Sequence, residues 1–198
     1  MATCSLWLFV LIAIVLHPYG AAQKKEGITV PRRVRPWQFM TSGIISLKLT
    51  TLELPRVTCT KAMATKWNFT ALTLSQDVGF MTSRTWNITR VDYKAVGKIR
   101  PARVFTATDW IAGENMTYSF QYTIRECAVL KKERKNKTGE VYSGVWELWI
   151  SDDNFRRNPH NEEFCRKHYM KFCKCQDHTK EYKTEECQGS SYKVILVA

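Results

Sequence analysis

Histidine is scarce in this chain: four residues among 198, of which only His160, His168 and His178 lie beyond the first 22 positions. Neither Gly-x-Ser-x-Gly nor His-Glu-x-x-His occurs, so nucleophile-elbow hydrolysis and zinc proteolysis lose their usual residue patterns. The sequence therefore reads as that of a protein without catalytic chemistry, and no cofactor motif accompanies it. Charge is missing from residues 1–22, which contain no Asp, Glu, Lys or Arg. Long apolar runs are missing after them, so no second segment approaches membrane length. Acidic residues are also few, 18 against 30 basic ones, for a formal charge of +12. That balance favours acidic partners such as sulfated glycans. Nucleic acid is not expected as a partner, because no recognisable binding module is present.

The uncharged start has an apolar stretch, Leu6 to Leu16, then Pro18 and the small residues Gly20-Ala21-Ala22. This is the pattern of a secretory signal peptide, 1–22, although no Lys or Arg precedes the apolar stretch. Residues 23–198 then form one domain large enough for a real core. With Cys4 removed, six cysteines remain: Cys59, Cys127, Cys165, Cys173, Cys175 and Cys187. In an oxidising compartment an even set reads as a disulfide framework. Four Asn-x-Ser/Thr sequons, at Asn68, Asn87, Asn115 and Asn136, agree with export. Cys165-x-x-His168 and Cys173-x-Cys175-x-x-His178 have zinc-like spacing, but disulfides are the stronger reading for an exported chain.

Alternation of apolar and polar residues marks several short strands: Ile45 to Leu49, Val57 to Cys59, Trp67 to Ala71, Trp86 to Thr89 and Arg103 to Ala107. The clearest is Met116 to Ile124, with Met116, Tyr118, Phe120, Tyr122 and Ile124 on one face. The polar run Lys131 to Gly139 reads as a turn or loop. Val141 to Ile150 then forms a strand that is greasy on both sides, with Val145, Glu147 and Trp149 on one face and Trp146, Leu148 and Ile150 on the other. After it, Asn158-Pro159 signals a helix start, and Phe164, His168, Tyr169 and Phe172 recur at helical spacing. The fold class is all-β with a C-terminal helix, a barrel or sandwich.

Glu147 is the oddity in this pattern. An ionised carboxylate taken out of water is costly unless it is paired. Its partner is either an internal Lys or Arg or the cation of a ligand.

The order of motifs resembles that of the tick salivary lipocalins of the histamine-binding type. The matching parts are Cys127-Ala128-Val129, Glu147-Leu148-Trp149, Cys165 in the helix and the late Cys187, with Trp37 and Cys59 as earlier counterparts. The resemblance covers roughly Tyr118 to Cys187 and implies an eight-stranded antiparallel barrel that holds a small molecule. It implies pairing of Cys59 with Cys187 and of Cys127 with Cys165. Cys173 and Cys175 are left to pair with each other, rearrange the scheme or bridge between molecules. In the family the matching Glu and Trp contact an amine, so Glu147 and Trp149 become candidate ligand residues, with Tyr118, Phe120, Tyr122 and Trp37 as wall candidates. Core filling is the plainer fate for any one of those aromatics. An ammonium would neutralise Glu147, and an aromatic face would add roughly 0.5–2 kcal/mol. The family's second amine site uses an Asp where this chain has Ala128, so that site does not carry over. The expected function is capture of a biogenic amine, histamine or serotonin, in one barrel site. Two alternatives stand beside it: capture of a lipid mediator such as a leukotriene or fatty acid, and inhibition of a host protein through the outer surface. For the last, Arg32, Arg33 and Arg35 and the run Lys131 to Lys135 would supply a basic face.

Overall fold

The computed structural model describes residues 31–52, 54–97, 102–109, 115–135, 141–175, 178–183 and 187. The expected signal peptide and the Asn136 sequon lie outside the described residues. A short helix, α1 (Pro36–Met40), starts on a proline whose missing N–H costs nothing there. Its first turn is closed by Gln38 Oε1, which accepts from the Arg35 N–H at 3.1 Å. Eight strands follow: β1 (Ile44–Thr50), β2 (Val57–Asn68), β3 (Thr73–Thr82), β4 (Thr85–Ala95), β5 (Val104–Asp109), β6 (Asn115–Thr123), β7 (Cys127–Lys135) and β8 (Val141–Ser151). Each pairs antiparallel with the next. β1 pairs with both β8 and β2, so the sheet closes into an eight-stranded barrel. Among the described residues, two helices, α2 (Asp152–Arg157) and α3 (Asn161–Cys173), and a two-residue strand β9 (Lys180–Glu181) follow. β9 takes the edge of β1 at Leu49 and Thr50, beyond the Ile44–Ser46 stretch that β2 occupies.

Why β8 is apolar on both faces is now plain. Its inward face contributes Trp149 to the barrel core, with Phe120, Leu47 and Ile45. Its outward face contributes Leu148 and Ile150 to a second core beneath α3, with Leu49, Val129, Cys165 and Tyr169. The helix covers the strand, so no polar outer face is needed.

Three disulfides are present: Cys59–Cys187, Cys127–Cys165 and Cys173–Cys175. The first two are the pairs that the resemblance implies, and the remaining two cysteines pair with each other. With their thiols in disulfides, none of these cysteines offers zinc a thiolate. Among the described residues no helix is long and apolar enough to cross a membrane.

Several strand expectations need correction. Phe69 to Leu72 do not continue a strand; they form the β2–β3 turn, where Asn68 Oδ1 accepts from the Thr70 and Ala71 N–H groups at 2.9 Å each. Lys131 to Lys135 are not a loop but the second half of β7, paired with β8 from Trp146 to Val141. The helical region begins earlier than Asn158, with α2 starting directly after Ser151 and carrying Asp152 and Asp153 in its first turn. Those two carboxylates compensate the positive end of the helix. Asp152 also ties the helix to the barrel, accepting from Ser46 Oγ at 2.6 Å and pairing with Lys61 at 3.0 Å.

Candidate functional site inside the barrel

A cavity of about 330 Å³ occupies the barrel between α1 and the β1–β2 connection. α1 supplies Phe39 and Met40 at one end; Leu52 and Leu54 line the other. Between them the wall is mainly aliphatic and aromatic: Ile45, Leu47, Val78, Val91, Tyr93, Met116, Tyr118, Phe120, Leu130 and Trp149. These residues alternate with outward-facing ones along their strands, as a barrel demands. The volume lies at the lower end of the range for small-molecule sites.

One belt of polar chemistry interrupts the apolar wall. Glu147 is 5% exposed, and its Oε2 accepts from Trp149 Nε1–H at 2.8 Å. Its Oε1 lies 3.9 Å from Lys132 Nζ. The register explains the meeting: Glu147 faces Leu130 across the β7–β8 ladder, and Lys132 is the next inward residue along β7. Lys132 Nζ also sits 5.5 Å from the centre of the Tyr118 ring, and Tyr118 meets Tyr93 edge to face at 5.1 Å. Burial, then the Tyr118 charge, push the Tyr93 hydroxyl well above its ordinary range. Arg134 lines the cavity two residues beyond Lys132 on the same face of β7. The Thr60 hydroxyl, also in the wall, is buried and finds no hydrogen-bond partner among the described residues. Gln76 is already committed, donating to the Met40 carbonyl at 3.0 Å.

Of the residues singled out from sequence, the structure brings Glu147, Trp149, Tyr118 and Phe120 to the cavity. Tyr122 is elsewhere. The β6–β7 register shifts between Phe120 and Tyr122, and Tyr122 turns outward to stack on His168 of α3 at 3.9 Å. Trp37 packs in the barrel core against Phe105 and Phe69, its ring centre 6.3 and 5.5 Å from theirs, without lining the cavity. Ala128 is fully buried in the same core. Tyr93, Lys132 and Arg134 were missed from sequence. Tyr93 would follow from extending the alternation past Thr89 through Val91; Lys132 and Arg134 were hidden in a run read as loop. The three sequon asparagines among the described residues, Asn68, Asn87 and Asn115, are all exposed.

No protein-family model matches the sequence, and no curated protein does. Solved structures match in shape. The siderocalin Ex-FABP, described with dual ligand specificities, superposes with a TM-score of 0.51 at 10% identity, over 71% of this chain and 87% of its own. The odorant-binding protein OBP1 gives 0.51 at 8% identity, over 76% and 94%. Japanin from Rhipicephalus appendiculatus, solved with cholesterol bound, gives 0.48 at 10% identity, over 72% and 93%. With the closed antiparallel barrel and its C-terminal helix, the first two establish the fold: this is a lipocalin-type barrel.

Proposed function

We propose that the protein is an exported lipocalin that sequesters one small, mainly apolar molecule with an anionic end, such as a fatty acid or eicosanoid-type lipid mediator. The observation that carries this reading is that Glu147 already has a cation, Lys132, and an N–H donor, Trp149. Among the described residues, the charged groups of the cavity wall are Lys132, Arg134 and Glu147. An incoming carboxylate is met by the Lys132 ammonium and the Arg134 guanidinium, while an ammonium must compete with Lys132 for Glu147. The apolar wall takes the chain, and the Thr60 hydroxyl offers a further polar contact. Cysteines held in disulfides and exposed sequons support export and glycosylation at Asn68, Asn87 and Asn115. Membership of the tick histamine-binding lipocalins belongs to the same proposal and rests on the motif order around Glu147 and Trp149.

Amine capture is the second reading. It is favoured by the length of the Lys132–Glu147 contact, 3.9 Å, and by the three aromatic rings of Tyr93, Tyr118 and Trp149 near it. Calorimetry with oleate and with histamine separates the two. The lipid reading expects oleate to bind and Lys132→Met to weaken it by about tenfold or more, the loss of one charged hydrogen bond. If histamine binds instead, and Glu147→Gln abolishes it, the amine reading replaces this one.

A further inference from the structure

A second concavity lies outside the barrel, a groove of about 480 Å³ that, among the described residues, has Phe120 alone in common with the cavity wall. Among the described residues its charged lining is Arg32, Arg33, Arg35 and Arg103, without a carboxylate. All four are exposed. They come from two segments that the backbone holds in place. On one side, Arg33 forms a β-bridge with Ile124, and the Val34 N–H donates to the Thr123 carbonyl at 3.1 Å. On the other, the Arg103 carbonyl accepts from the Phe120 N–H at 2.8 Å. Tyr122 forms part of the floor. The Arg33 guanidinium lies 5.1 Å from the centre of the Tyr122 ring, which also stacks on His168 and meets the Phe164 ring at 5.9 Å. The carboxylate that acts on Tyr122, Glu126, is itself buried and accepts from Asn158 Nδ2 at 3.1 Å. It is not part of the groove lining.

Four like charges around one concavity repel each other unless an anion joins them. Guanidinium groups present paired N–H donors that match the oxygens of a sulfate. Gln38 and Gln121, from the same lining, add neutral donors and acceptors suited to sugar hydroxyls. We propose that this arginine groove is a binding site for a sulfated polysaccharide of the heparin type, separate from the barrel ligand. The repeating sulfates of such a chain engage arginines from both flanking segments, and exposure of the four side chains lets the chain run through without an end having to enter. The groove acts as an address, holding the barrel and its cargo on a sulfated matrix.

A protein of charge +12 will meet any polyanion to some degree, so the test compares two variants that each remove two charges. Arg33→Gln/Arg103→Gln empties the groove from both sides. Arg56→Gln/Arg84→Gln removes equal charge from exposed turns of the β1–β2 and β3–β4 connections, where both residues already have positive φ. Binding of a fully sulfated heparin tetrasaccharide is measured at physiological salt, with far-UV circular dichroism to verify folding. The groove variant is expected to lose about tenfold or more in affinity, and the control less than about threefold. Equal losses would reduce the groove to diffuse charge and overturn the proposal. So would wild-type protein that binds anionic phosphatidylserine vesicles but not the tetrasaccharide.

Discussion

Glu147 and Lys132 each remove the other's charge from an apolar wall, and neither can be changed alone without cost. Glu147→Gln leaves a cation facing Trp149 and Tyr118 without its carboxylate, and we expect a loss of about 1–3 kcal/mol in urea unfolding. Replacing both, as Glu147→Gln/Lys132→Met, should recover most of that loss, since removing both partners spares the unpaired charge. A double variant no better than the single one would mean the 3.9 Å contact contributes nothing. Tyr169 offers a test from the other side of β8. Burial pushes its hydroxyl up to about 12, with a smaller opposing effect from Thr179. The unfolded chain releases this proton near pH 10 while the folded chain keeps it, so stability is intact below pH 10 and falls as pH climbs towards 12. Tyr169→Phe should flatten that alkaline fall in unfolding curves; an unchanged slope would place the proton elsewhere.

At the scale of elements, α3 decides why β8 has no wet face. Tyr169 and Cys165 bury against Leu148, Ile150 and Val129, and the Cys127–Cys165 disulfide locks the contact. Closing that 38-residue separation constrains the unfolded chain by about 4 kcal/mol in the entropy model, so Cys127→Ala/Cys165→Ala should lower stability by roughly that amount. A loss below about 1 kcal/mol would show the helix to be held by packing alone. The amphipathic parts of this architecture were readable from sequence: Met116 to Phe120 alternates cleanly, and β8 declares two buried faces. Inward charges were not readable. Lys131 to Lys135 looks like a solvated run because five polar residues in succession carry no apolar period. In the barrel, Lys131 and Glu133 pair at 2.6 Å on one face while Lys132 and Arg134 turn into the cavity on the other. A strand whose inner face is charged has the composition of a loop, and only the register with β8 reveals it. Tyr122 failed for the opposite reason: a register shift in the β6–β7 pairing breaks the alternation that promised it to the interior. Glu147 could be recognised as needing a cation, but which cation depends on a cross-strand diagonal that no local pattern encodes.

For the whole molecule, the two charged sites differ in their exposure. The barrel encloses its charges behind an apolar wall, while the arginine groove presents its charges to solvent. The closed sheet leaves β1 as the seam, joined by β8 on one side and by β2 and β9 on the other, with the Cys59–Cys187 disulfide tying β2 to the segment after β9. A closed barrel with an apolar wall is shaped to enclose one small molecule. The most direct test is calorimetric titration of the purified protein with oleate and with methyl oleate, which differ only in the charge of the head. The Lys132 ammonium and Arg134 guanidinium in the cavity wall predict that the acid binds tighter by about tenfold or more, the value of one charge-assisted hydrogen bond. Equal affinities for acid and ester, or binding of neither, would contradict it.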